Sequence, residues 1–226
     1  MQRFLFGAIG VAAMLGAATA QASFIEYDNV KPWKSTIGVM SNNDFRNRLD
    51  DADIGVTSYT LGASLGVDVA GTLTYYYYGK EAGYRNDFWA AAGGQNLFHS
   101  SGYSPTNQSL FGSPYEIGSL NVGPGLLDFG FCAYSGSAAS PHLVGCLDNA
   151  HNDGRGLYSF QSIAYSIVGD SVWLFWDDSG AGPDDNHDDM LIRAVFRPST
   201  SVPEPTTLAL FGLGLLGLGL ARRKKI

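Results

Sequence analysis

Between residues 23 and 201 the chain breaks into short apolar and aromatic runs. Gly, Ser, Asn or Asp interrupts them every eight to fifteen residues. This punctuation predicts strands and turns, with few helix signals. The strongest strand is Thr72–Tyr78, a run of β-branched and aromatic residues. Ser159–Val168 alternates around Phe160, Ile163, Tyr165 and Ile167. Ser171–Trp176 and Met190–Phe196 follow, separated by an acidic, turn-rich segment. Ile54–Tyr59, Ser64–Val69 and Leu97–His99 are earlier candidates. No repeat of fixed period is present. Many short strands with frequent turns predict an all-β fold, an antiparallel β-sandwich of jelly-roll type. Side chains alternate along a strand, so Tyr75–Tyr78 should send two rings to the core and two outward. The outward pair could stack on sugar rings. Packing across strands beneath a neighbouring loop is the plainer reading.

The hydrophobic pattern changes at both ends. Met1–Ala22 has a positive residue, Arg3, then an apolar stretch from Phe4 to Leu15. Two small-x-small sites follow, at Ala18–Ala20 and Ala20–Ala22. This is the layout of a signal peptide, with cleavage expected after Ala22. At the other end, Val202-Pro203-Glu204-Pro205 precedes an apolar run from Thr206 to Leu220, then Arg222-Arg223-Lys224-Lys225. Fifteen helical residues span only about 22 Å, against a hydrocarbon core of about 30 Å. Gly212, Gly214, Gly217 and Gly219 weaken that helix further. The basic cluster should stay in the cytoplasm and place the folded part across the membrane. The expected organisation is a signal peptide (1–22), a β-sandwich domain (23–198), a linker with the Pro-Glu-Pro motif (199–205), a transmembrane sorting helix (206–221) and a basic tail (222–226).

This C-terminal arrangement resembles the PEP-CTERM sorting signal of bacterial exported proteins. The residues that match are Pro203-Glu204-Pro205, the Gly/Leu-rich span Leu208–Leu220 and Arg222–Lys225. The alternative is an ordinary single-span anchor. The resemblance covers about the last tenth of the chain and implies an address. It implies an exosortase, a membrane cysteine peptidase, as partner, with signal peptidase acting at the other end. It also implies transient anchoring in the inner membrane, then release to the outer surface or an extracellular matrix of exopolysaccharide and biofilm material.

Composition sharpens the reading of the body. Removing the five cations and one acid of the two ends from 14 and 21 leaves nine against twenty, a net charge of −11. Such a surface repels phosphate backbones, so nucleic acid is not an expected partner. The two cysteines, Cys132 and Cys146, are expected to form a disulfide in an exported chain. Gly136, Pro141 and Gly145 lie between them, so the bridge is expected to staple a loop. Free thiols or a metal pair are the alternatives, but no Cys or His stands nearby in metal spacing.

One constellation carries candidate chemistry. Asp177, Asp178, Asp184, Asp185, Asp188 and Asp189 crowd thirteen residues that hold no Lys or Arg. At an effective dielectric of about 20, two like charges about 6 Å apart repel by roughly 2–3 kcal/mol. Hydration, a distant Arg or a cation must relieve this. Asp184, Asn186, Asp188 and Asp189 offer hard oxygen ligands suited to Ca2+. The segment is not an EF-hand, because Asp189 and Val195 stand where that loop needs Gly and Glu. The alternative is a solvated or hydrogen-bonded turn bracing the final hairpin. Asn186-His187-Asp188-Asp189-Met190 and the turn around Glu81-Ala82-Gly83-Tyr84-Arg85-Asn86 also resemble turns of PEP-CTERM β-domains. Glu81 and Asn86 are expected to approach the acidic turn as further ligands or as hydrogen-bond partners. Two independent loops are the competing expectation.

Catalytic signatures are missing from the sequence: there is no Gly-x-Ser-x-Gly, His-Glu-x-x-His, P-loop or Rossmann fingerprint. No catalytic residue is assigned, and His99, His142, His151 and His187 are expected on surface loops. The leading expectation is a structural, non-enzymatic exported protein of the cell surface or extracellular matrix, associated with exopolysaccharide. The alternative is a carbohydrate-binding module of the same architecture, possible with calcium.

Overall fold

The computed structural model describes residues 23–27, 35–52, 54–103, 106–107, 109–152, 161–178 and 186–199. The expected signal peptide, the tail from residue 200 and Asp184 fall outside these residues. In chain order the elements are β1 (Phe24–Tyr27), β2 (Ser35–Gly38), a one-turn helix α1 (Arg46–Leu49), β3 (Ser58–Leu61), β4 (Ser64–Val67) and β5 (Gly71–Glu81). Then come β6 (Arg85–Ala92), β7 (Gln95–Ser100), β8 (Thr106–Asn107), β9 (Tyr115–Val122), β10 (Gly125–Leu126) and β11 (Asp128–Ser137). The last are β12 (Ser140–Asp148), β13 (Ser162–Val168), β14 (Ser171–Asp177) and β15 (Met190–Pro198). Short 3-10 turns lie at Ser109–Gly112 and Asn149–His151. Among the described residues no helix is long and apolar enough to cross a membrane.

The described strands form three antiparallel sheets. The largest runs β2-β3-β13-β14-β15-β5-β8, with β9 also pairing β5. A second runs β12-β11-β6-β7, and a third runs β1-β4-β10. Alternation in the large sheet accounts for its packing. Val172, Leu174 and Trp176 of β14 point into a cluster shared with Phe88, Phe129 and Phe131 of the second sheet and with Leu65 and Val67 of the third. Trp173 and Phe175, one residue out of phase, join Tyr59, Leu61, Phe45 and Leu49 on the other face. Every residue of β14 is therefore buried. A strand covered on both faces reads as a continuous apolar run.

The four tyrosines alternate between the two faces, and the outward pair packs beneath a neighbouring turn, the plainer of the two expectations. Tyr75 and Tyr77 enter the inner cluster. Tyr78 is buried on the opposite face, its ring 5.2 Å from Phe111 and 4.7 Å from Trp173. Tyr76 is half-buried against the same cluster. The turn at 109–112 covers this end of β5, so the rings are packing residues and no exposed tyrosine pair is offered to sugars.

Several strands escaped the pattern. β6 begins Arg-Asn-Asp and reads as a turn; β12 is almost wholly exposed and lacks an apolar face. Ile54–Val56 is not strand. The amide of Gly55 donates to Asp51 O (2.8 Å), and Gly55 sits at φ +67°, so these residues close a turn before β3.

The cysteines are bonded to each other. They do not close a loop, as expected, but face each other across the β11–β12 hairpin, in register Cys132↔Cys146. Gly136 pairs with Pro141 inside the ladder, and the chain turns at residues 138–139. Replacing both cysteines with serine is expected to cost about 2–3 kcal/mol. Urea denaturation with and without reductant measures it: the wild type should lose that stability on reduction and the variant should not respond.

Candidate functional site

The acidic turn and the β5–β6 turn meet. β5 carries Glu81 at its end, and β6 starts four residues later, which brings Asn86 beneath the mouth of the β14–β15 hairpin. Asn86 is fully buried and uses both ends of its amide. Its Nδ2 donates to Asp178 Oδ2 (2.8 Å) and to Asp189 O (3.1 Å). Its Oδ1 accepts from the indole Nε1 of Trp176 (3.2 Å). The Glu81 amide donates to Asp188 O at 2.9 Å.

Asp189 closes the base of the hairpin. Its amide donates to Trp176 O (3.1 Å), and its Oδ2 accepts from the Asp178 amide (2.6 Å). Asp188 reaches the other way: its Oδ2 accepts from the Asp44 amide at 2.7 Å. Asn186 is held by the polar turn before α1. Its carbonyl accepts from Asn43 Nδ2 (2.8 Å), and its own Nδ2 donates to Asn42 O (3.2 Å). Asn43 Nδ2 also donates to the Tyr59 hydroxyl (2.7 Å). Between them His187 adopts φ +56°, a left-handed conformation unusual for a residue with a side chain. It turns the chain so that Asn186 and Asp188 both face inward.

This is not a solvated acidic loop. Asp177, Asp178, Asn186, His187, Asp188 and Asp189 are all buried. Burial, which disfavours charge, dominates the ionisation of the group. It raises Asp178 and Asp189 above the carboxylate range; the charge of Asp178 raises Asp189 further, whereas Asp178 is pushed up by Asp177 and pulled back by its hydrogen bonds with Asn86 and Asp189. Burial lowers His187 to about 4, against the pull of Asp177. Burial also lowers Lys80, although Asp178, Asp189 and Glu81 oppose it. The Lys80 ammonium donates to Tyr84 O and Gly102 O, both at 2.8 Å. It therefore ties the β5–β6 turn to the segment that follows β7.

Glu81, Asp188 and Asp189 each place a carboxylate oxygen within 4.8 Å of the others. Three hard oxygens at such spacing could converge on one cation. Of the other expected ligands, Asn86 is committed to Asp178, Asp189 and Trp176, and Asn186 to the 42–43 turn. Asp184 lies outside the described residues. The structure thus joins the two turns, with Asn86 as a hydrogen-bonding hub.

Sequence reading missed Asn43, Asp44, Lys80 and Ser162. Asn42-Asn43-Asp44 is a visible polar turn, but nothing in its composition says which part of the chain it binds. His187, expected at the surface, is fully buried, and its Nε2 lies 2.7 Å from Ser162 Oγ. Ser162 pairs with Asp177 across β13–β14. Ser162, His187 and Asp177 are the residue types of a nucleophilic triad, yet each is 0% exposed. As placed, they brace the hairpin base. His99 is also drawn inward, stacked 4.3 Å from Tyr77 and 5.1 Å from Tyr115. His151 is exposed and meets Asp148 Oδ1 at 2.7 Å.

An acidic, all-β body of antiparallel sheets with a disulfide is the class that the described residues define. The tail then gives the route. The family model described as PEP-CTERM protein-sorting motif matches residues 201–225, at the C-terminus. The chain carries this motif, which marks an exported protein sorted by exosortase at the membrane. No curated protein and no solved structure matches the chain.

Proposed function

We propose that this is a structural protein of the cell surface or extracellular matrix, associated with exopolysaccharide and not catalytic. The sorting motif at 201–225 is the observation that carries the reading. In this reading residues 23–198 form one β-sandwich of jelly-roll type. The signal peptide is removed, and the tail holds the chain in the inner membrane only until processing. The buried, cross-braced hairpin base and the cross-strand disulfide support a durable body built for a compartment without chaperones or reductant. Val202, Pro203, Glu204 and Pro205 are the recognition segment, and Arg222, Arg223, Lys224 and Lys225 hold the end of the chain inside.

Mass spectrometry of the protein from its native source tests this at both termini. The expected product starts at Ser23 and ends near Pro205. Recovery from the medium of chains that retain Met1 and Lys225 would overturn the reading. Replacing Pro203-Glu204-Pro205 by three alanines is expected to leave the body folded and the protein held at the inner membrane. Cell fractionation reads that result.

Glu81, Asp188 and Asp189 form the proposed Ca2+ position, supported by the convergence of their oxygens. A carbohydrate-binding module is the second functional reading. The tyrosine run offers no exposed pair of rings, but one groove on the large sheet, flanked by Tyr76, supports it.

A further inference from the structure

The outer face of the large sheet holds an open groove of about 370 Å³ where β5, β15 and the β13–β14 turn meet. Tyr76 and Thr74 of β5, Arg193 and Arg197 of β15, and Asp170 and Pro114 line it. Its chemistry differs from that of the rest of the body. Two of the nine cations of a strongly acidic body stand on one strand, on one face, four residues apart. At about 3.3 Å per residue their Cα atoms are roughly 13 Å apart.

Among the described residues neither guanidinium forms an ion pair with a carboxylate, although Asp170 lines the same groove. Arg193 is pre-set by neutral groups: Nη2 donates to Ser171 Oγ (2.8 Å), and Nη1 lies 3.4 Å from the Tyr78 hydroxyl. Its guanidinium carbon sits 5.4 Å from the centre of the Trp173 ring. Its Nε–H has no acceptor among the described residues. Arg197 is exposed and makes no hydrogen bond or ion pair among the described residues. The face continues outward on β9 in Ser119 and Asn121, with the exposed carboxylate Glu116 beside Tyr76 at the far end from Arg197. Thr74 Oγ1 meets Ser119 Oγ at 2.8 Å, and Thr72 Oγ1 donates to Asn121 Oδ1 at 3.0 Å. Tyr76, in register with Arg193, offers a half-buried ring edge beside this row.

We propose that this groove binds an acidic polysaccharide segment, one whose sugar units carry carboxylates, such as a polyuronate. Guanidinium groups take carboxylates through paired, charge-assisted hydrogen bonds. The spacing of the two arginines exceeds the reach of one small anion and suits a chain that presents carboxylates repeatedly. The hydroxyl and amide row supplies partners for sugar hydroxyls, and the Tyr76 ring supplies an apolar flank. A larger hollow of about 420 Å³, between the β6–β7 turn and residues 122–128, lacks this chemistry: Asp128 is its charged residue. The net charge of the body opposes an anionic ligand at long range. Screening over about 8–10 Å at ordinary ionic strength leaves the outcome to the local arginines. The inference deepens the proposed association with exopolysaccharide and rests on that reading for its setting.

The test is calorimetry on the full chain, with oligogalacturonate, its neutral methyl ester and monomeric galacturonate as probes. The acid oligomer is expected to bind, weakening as salt rises; the ester and the monomer should bind at least about tenfold more weakly. Arg197→Glu changes an exposed side chain and is expected to reduce oligomer binding by about tenfold or more without lowering Tm. Tyr76→Ala is the second variant, expected to weaken binding by about threefold or more. No binding of the acid oligomer, equal binding of acid and ester, or unchanged binding in both variants would overturn the proposal. Localisation separates this from the wider reading. A protein sorted to the surface that ignores polyuronate removes the groove and leaves the delivery reading standing.

Discussion

Asn86→Ala is expected to lower stability by about 3–5 kcal/mol, a large part of the roughly 5–15 kcal/mol that holds a single domain together. Three partners lose their bonds together: a carboxylate oxygen of Asp178, the carbonyl of Asp189 and the indole N–H of Trp176. All three belong to buried residues, so water does not readily replace the amide. Asn86→Asp should be worse at pH 7, because it sets a further carboxylate against Asp178, and it should recover in part at acid pH. Circular-dichroism melting across pH measures both variants. A change of Tm below about 3 °C for Asn86→Ala would remove Asn86 from its place as the hub.

The second large effect concerns charge. Asp178 is raised to about 6 and Asp189 to about 10, so above about pH 4 the folded state holds protons that the unfolded chain has released, and at neutral pH Asp189 is the one that still does. Their stabilising contribution is complete below the ordinary carboxylate range near pH 4. It is lost as pH rises through the raised folded values. His187 has the opposite sign. Lowered to about 4, it must stay neutral in the fold, so its contribution is complete above about 6.5 and is lost as pH falls toward 4. The carboxyls and His187 oppose each other between about pH 4 and 6.5; above that Asp178 has lost its proton and Asp189 carries the remaining slope. In chelator, stability is therefore expected to fall between about pH 6.5 and 9.

Asp189→Asn keeps the acceptor for the Asp178 amide and removes the charge. It is expected to flatten that slope and to raise stability at pH 8 by about 2 kcal/mol. If Glu81, Asp188 and Asp189 hold Ca2+, millimolar calcium should restore the wild type at pH 8 and leave Asp189→Asn unmoved. An unchanged wild-type Tm with and without calcium would end the cation proposal. A flat wild-type pH profile would end the account of the carboxyl pair.

Much of the strand content was legible before the fold was seen. Thr72–Tyr78, Ser171–Trp176 and Met190–Phe196 lie inside β5, β14 and β15, because each is a run of β-branched and aromatic residues between turn formers. Arg85–Ala92 and Ser140–Asp148 were not legible. Their side chains match the needs of neighbours in the sheet, and periodicity along one segment does not encode those neighbours. The acidic turn was found, and the expected approach of Glu81 and Asn86 to it is what the fold shows, but its burial was not legible. Charge density alone predicts solvent, whereas the 42–45 turn and Ser162 help to enclose it.

The sequence by itself determined the route and the local grammar. The Pro-Glu-Pro motif, greasy span and basic end act as a linear signal whose recognition needs no fold. The strand-forming runs and the cysteine pair likewise depend on residues near in sequence. Only the tertiary structure decided that Asn86, Asp178 and Asp189 share one buried network, that Tyr78 is packed and Arg197 open, and that the cysteines join two strands. The network depends on hydrogen bonds between segments 92 to 144 residues apart, whereas the cysteines, 14 apart, are placed by the register of one hairpin. Such pairings are chosen by the burial of whole sheet faces, a property that no single stretch of residues carries.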